Sequence, residues 1–165
     1  MKRLQLLIVA AATAIVVGVV AAATSQAGSP GDRTIRLVER GSSFSYVDNP
    51  PTGNERTRLV SAGDFSAGTV GLYDERGKRA GSLYIVCVAT ISGKEVHEKF
   101  LCNGNVKLAD GTLALSALNE RRPDRDVDHI SIVGGTGAYE GARGSMTSMS
   151  RSSGNVTDDV IHLLP

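Results

Sequence analysis

The chain has 165 residues, with 18 Lys and Arg against 17 Asp and Glu, three His, two Cys and no Trp. So even a charge balance, with no basic stripe, excludes a nucleic-acid partner, because counterion release needs clustered cations. Abundant glycine (19 residues), few aromatics (4%) and short apolar runs beyond the first residues point to an all-β domain rather than a helical bundle.

Met1-Lys2-Arg3 is a short positive start, and Leu4 to Ala23 is an almost unbroken apolar run. Thr24-Ser25-Gln26-Ala27 then supplies small residues at the −3 and −1 positions of a cleavage after Ala27. This layout predicts a cleaved secretory signal peptide over 1–27 and a secreted, extracellular protein with no membrane contact after cleavage. A retained anchor is the alternative, since the run is long enough to span a bilayer. Removing Lys2 and Arg3 leaves 16 basic against 17 acidic residues. A flexible tail over 28–33 is expected, followed by one domain over 34–165, a length that suits a single core.

Within that domain, Thr34 to Arg40 alternates as a strand. Asp48 to Arg58, with Pro50-Pro51, is a loop. Ser66 to Tyr73 reads as a strand ended by the turn Asp74-Glu75-Arg76-Gly77. Gly81 to Ile91 is the strongest strand, apolar on both parities, so both its faces should be covered, one by a barrel interior and the other by a second sheet, a long loop or another subunit. Val96 to Leu108 returns from a hairpin, Asp110-Gly111 turns, and Thr112 to Leu118 follows as a strand. Asn119 to Asp128 reads as a charged loop. Ile130 to Val133 leads into Gly134, Gly135, Gly137, Gly141 and Gly144, and Arg143 to Arg151 and Val156 to Leu164 are the last two strands. The glycines do not form a dinucleotide loop, because no long helix follows them. They mark a tight strand–turn–strand corner. About eight strands on short connections suit an eight-stranded antiparallel up-and-down β-barrel, whose interior holds side chains or one small ligand.

Two segments resemble the allene oxide cyclase and dirigent barrel superfamily. They are GDFSAGTVGLYDERGKRAGSLYIVCV, Gly63 to Val88, and ISIVGGTGAYEGARG, Ile130 to Gly144. The resemblance implies an eight-stranded barrel with an apolar lumen that can assemble as a homo-oligomer. It also implies binding of a small hydrophobic molecule whose cyclisation or coupling is steered without metal or organic cofactor. The family's own catalytic set is not matched. Arg36 and Val38 stand where cyclases have Glu and Asn, Phe44-Ser45 replaces their Ser-Pro, and Asp48-Asn49-Pro50-Pro51 is at best a remnant of the dirigent signature. Allene oxide cyclase activity itself is therefore not expected.

Two readings of Cys87 stand side by side. The resemblance implies a lumen thiol beside substrate. Export, an even cysteine count and the hairpin that brings Cys87 near Cys102 imply a disulfide. Tyr73, Cys87 and Tyr139 are the candidate ligand contacts; a half-buried barrel aromatic is the plainer reading of both tyrosines. His97, His129 and His162 have no ligand spacing, so no metal site is expected. Asp64 reads as a turn former. Asp158 and Asp159 must point to opposite faces, and a lumen carboxylate is a better acid–base candidate than any histidine here. Three functions follow: a cofactor-independent isomerase or cyclase, a non-catalytic lipocalin-like binder, and a structural secreted protein with a filled lumen. Convergent polar groups in an open apolar pocket favour the first.

Overall fold

A computed structural model describes residues 33–49, 60–90, 98–121, 127–151 and 156–165. The signal peptide expected over 1–27 and the tail up to residue 32 lie outside the described residues. Eight strands are present: β1 Arg33–Val47, β2 Phe65–Tyr73, β3 Arg79–Ala89, β4 Glu98–Leu108, β5 Gly111–Arg121, β6 Val127–Gly137, β7 Gly144–Ser150 and β8 Thr157–Leu163. Each pairs antiparallel with its sequence neighbours, and β8 returns to β1, so the sheet closes as a barrel in the order β1 to β8. No helix occurs among the described residues. The expected eight-stranded up-and-down barrel is the observed fold.

The period-2 pattern of each strand sends alternate residues inward. Leu72, Leu113, Ile161 and Leu163 are completely buried, with Val106 and Met146 at 1% exposure, and they fill one end of the lumen. The β6–β7 connection closes that end. Its backbone turns through bonds from Tyr139 N–H to Thr136 O (3.2 Å) and from Ala142 N–H to Tyr139 O (2.9 Å), which carries Tyr139 and Ala142 under the barrel. Gly135 is required there: a Cβ would stand 2.2 Å from the Tyr139 carbonyl oxygen. The glycine corner is thus a close backbone approach that lets an aromatic ring plug the floor.

Three elements differ from expectation. β1 runs on to Val47 instead of ending at Arg40, with a register shift between Arg40 and Ser42. Gly41 supplies it at φ +64°, a backbone that admits an extra residue without breaking the strand. β6 begins at Val127, so Asp128 lies on a strand, not in a loop. The outer parity of β3 is also uncovered within one chain: Tyr84, Val86 and Val88 are 47%, 41% and 40% exposed.

Asp64 pins the long β1 to the start of β2. Its buried carboxylate accepts the Tyr46 hydroxyl (2.5 Å), the Asn49 N–H (2.8 Å), the Ser61 N–H (2.8 Å) and the Ser61 hydroxyl (3.0 Å). Burial works against its charge, but the Ser61, Tyr46 and Asn49 donors outweigh it and hold the group at about 2. Asp64→Ala leaves those donors unmet and should cost about 1–3 kcal/mol in urea unfolding. A depressed folded pKa stabilises above the unfolded value of 3.8 and ceases to do so as pH falls through about 2. The gap between wild type and Asp64→Ala should therefore close over that window; a gap that persists unchanged would show that the carboxylate's charge contributes nothing.

Candidate active site

The lumen is filled at one end and hollow at the other. The hollow end is a cavity of about 240 Å³, more than the roughly 150 Å³ that holds a benzene. Its two sides differ in chemistry. One wall, from β3 to β5, is mainly apolar, with Leu83, Ile85, Leu115, Ala117 and the Cys87–Cys102 pair beside the uncharged amides of Asn103 and Asn119. The other, from β6 through β7 and β8 to β1, carries Asp128, Ser148, Ser150, Thr157 and Glu39.

Strand pairing aligns that polar seam. Asp128 of β6 faces Ser148 of β7, which faces Asp159 of β8. One step toward the mouth, Ser150 faces Thr157, which faces Glu39 of β1. Asp159 itself stands opposite Leu37, two residues from Glu39 on the same face, so the two carboxyls meet diagonally across the β1–β8 seam. Asp159 is 1% exposed and lies behind the cavity lining. The Ser148 hydroxyl donates to its Oδ1 at 2.6 Å. Oδ2 meets no other donor unless the Glu39 carboxyl carries a proton.

That requirement asks for one proton on the carboxyl pair. Burial pushes Glu39 up to about 8, and the Asp159 charge, the hydrogen bond to Asp159 and the Asp128 charge push the same way. Burial also raises Asp159, to about 6, but the bonds from Ser148 and Glu39 hold it below its partner. Near neutral pH the Glu39–Asp159 pair shares one proton in the hydrogen bond between the two carboxyls. The neighbouring Asp158 points outward as alternation requires and takes a bidentate contact from Arg151, at 2.7 Å from Nε and 2.5 Å from Nη2.

Phe44 stands at the mouth. The β1 bulge puts Phe44, rather than Ser43 or Ser45, on the cavity side, and its ring lies over Gly68, where a Cβ would come within 2.2 Å of it.

The sequence-derived candidates divide. Cys87 is on the cavity wall, but bonded to Cys102, directly opposite in register at a Cα separation of 4.0 Å. It presents sulfur surface and no thiol, so the lumen-thiol reading is corrected. Tyr73 faces outward between Arg40 and Arg79, whose guanidinium carbons are 5.9 and 5.6 Å from its ring centre; Leu72 takes the lumen place beside it. Tyr139 is 1% exposed in the barrel floor, with Arg33 5.5 Å from its ring centre. Neither tyrosine lines the cavity. His129 and His162 are exposed on the outer surface, and His97 lies outside the described residues. No group of His, Cys, Asp or Glu among the described residues suits a metal ion. Sequence reasoning missed Glu39, Asp128 and Ser148. For Glu39 the signal was present, since it continues the parity of Ile35 and Leu37.

A carboxyl with a raised folded pKa stabilises the fold below its unfolded value of 4.5, and the contribution is lost as pH rises through about 8. Glu39→Gln should therefore match wild type in unfolding free energy, and so in melting, at pH 4.5 and exceed it at pH 8 by on the order of a few kcal/mol. Equal melting differences at both pH values would place an ordinary exposed carboxyl at Glu39.

The chain matches no protein-family model and no curated protein. Solved structures do match it in fold. A pyocyanin demethylase superposes with a TM-score of 0.63 at 20% identity, covering 79% of this chain and 99% of its own. The pterocarpan synthase dirigent protein PsPTS1 gives 0.62 at 17% identity, over 83% and 97% of the two chains. The Diels–Alderase AbmU from Streptomyces koyangensis gives 0.60 at 14% identity, over 83% and 72%. At these identities the likeness concerns architecture: the chain shares the closed β-barrel fold of these proteins.

Proposed function

We propose that this barrel takes a small hydrophobic molecule into its half-open lumen and steers a cyclisation or coupling there, with Glu39 as the proton donor. The observation that carries the reading is the meeting of an apolar wall with a proton-sharing carboxyl pair in one cavity. The wall of Ile85, Leu115 and the disulfide holds one conformer of a flexible substrate, which lowers the entropic part of the barrier. Glu39, kept neutral by burial, delivers its proton where negative charge develops, and Asp159 with Ser148 holds the donor in place. The residues of this site perform these steps without calling on a metal or organic cofactor. The synthase and Diels–Alderase names of two barrels sharing the fold support the same class of reaction.

The proposal includes export: residues 1–27 have the leader layout, and the Cys87–Cys102 bond suits an oxidising compartment. It also includes self-association, for which the exposed Tyr84, Val86, Leu101, Leu118 and Val133 are the support.

The test is extraction and mass spectrometry of small molecules from protein purified from its own host. A retained hydrophobic compound is expected. With that compound or its precursor, Glu39→Gln should keep binding and lose turnover by about 10²-fold or more. Undiminished turnover in Glu39→Gln would remove the proton donor from the proposal, and binding with no turnover in wild type would leave a lipocalin-like carrier.

A further inference from the structure

Among the described residues the carboxyl seam lacks a counter-charge. Glu39, Asp128 and Asp159 enter the lumen side from β1, β6 and β8. The other polar groups of the cavity are the hydroxyls of Ser148, Ser150 and Thr157 and the amides of Asn103 and Asn119. No Lys, Arg or His lines the cavity among the described residues. On the outer surface the same strand solves the problem in the ordinary way, since Asp158 takes Arg151.

A carboxylate in a dry interior is costly unless it is paired and hydrogen-bonded. Asp159 has one firm donor, Ser148, and its buried Oδ2 meets only another acid. Asp128 adds a third carboxyl two strand pairings away from Asp159, across Ser148 of β7. The place where a compensating cation belongs is the void in front of Glu39 and Asp128. The wall facing that place carries no charge and is mainly apolar.

We infer that the cavity selects compact hydrophobic molecules carrying a protonated nitrogen, an amine or amidine, seated against Glu39 and Asp128 with the apolar body against Ile85, Leu115 and the Cys87–Cys102 disulfide. This rests on the reading of the cavity as a ligand site given above, and names the class of ligand it takes. A carboxylate ligand of the same shape meets repulsion from Asp128 and from the single charge of the Glu39–Asp159 pair. A neutral alcohol meets the same wall but supplies no counter-charge. Size limits the body to about two fused rings, given that roughly 150 Å³ holds one benzene and this cavity measures about 240 Å³.

The experiment is calorimetric titration of the purified protein with naphthylmethylamine, naphthylmethanol and naphthoic acid, which share a body and differ in charge. The amine should bind at least about tenfold tighter than the alcohol, and the acid most weakly. Asp128→Asn should narrow the amine-to-alcohol ratio to within about threefold while leaving alcohol binding unchanged. Asp128→Ser gives the same readout if Asp128→Asn fails to fold, as judged by circular dichroism. An amine no tighter than the alcohol, or an acid tighter than either, overturns the charge selectivity and leaves the ligand site standing. Failure of all three to bind overturns the cavity reading and this inference with it.

Discussion

The pairing of β8 with β1 is the constraint on which the rest depends. Its register runs from Arg33 opposite Leu163 to Glu39 opposite Thr157. Both strands change from apolar to acidic along their inward faces: Ile35, Leu37, Glu39 on β1, and Leu163, Ile161, Asp159 on β8. Because they are antiparallel, the two gradients coincide only in this register. The apolar ends meet at the floor and the acidic ends meet at the cavity. A slip of one residue would turn either Glu39 or Asp159 outward, together with every core side chain of the slipped strand. Barrel closure and the carboxyl pair are thus one structural event.

The filled end permits the hollow one. Leu72, Leu113, Ile161, Leu163 and the Tyr139 plug form a continuous dry core. That core supplies hydrophobic stabilisation against which the burial of two acids can be held. Asp64 acts at the opposite end in a different way. It is fully buried as well, yet four donors satisfy it, and its charge is favoured. The contrast between Asp64 and Glu39 shows that burial alone does not set the state of a carboxyl. The number of donors facing it does, and Asp64 is built for structure where Glu39 and Asp159 are left partly unmet.

Local irregularity shapes the mouth. A single residue, Gly41, shifts the parity of β1, so that Phe44 and Tyr46 take the inward side that strict alternation from Glu39 would give to Ser43 and Ser45. One bulge thereby places an aromatic ring at the mouth and aims the Tyr46 hydroxyl at Asp64. The disulfide stiffens the facing wall. It joins β3 to β4 at the level of the cavity, where Cys87 and Cys102 face each other across a non-local hairpin.

The sequence by itself determined the barrel, its strand count and the glycine corner, and it put the two cysteines within bridging reach. These follow from local rules: alternation, turn dipeptides, close backbone approach and the span of a hairpin. Alternation alone also sends Asp158 and Asp159 to opposite faces. The site was less legible. Tyr73 and Tyr139 stand out for their chemistry, but one faces outward beside Leu72 and the other is spent on the floor. Glu39 and Asp159 are 120 positions apart in the chain, and Asp128 sits at the start of a strand that reads as a charged loop. Only closure and register bring them to one cavity, because a carboxyl's proton affinity depends on which groups surround it in space. Tertiary structure alone decides that.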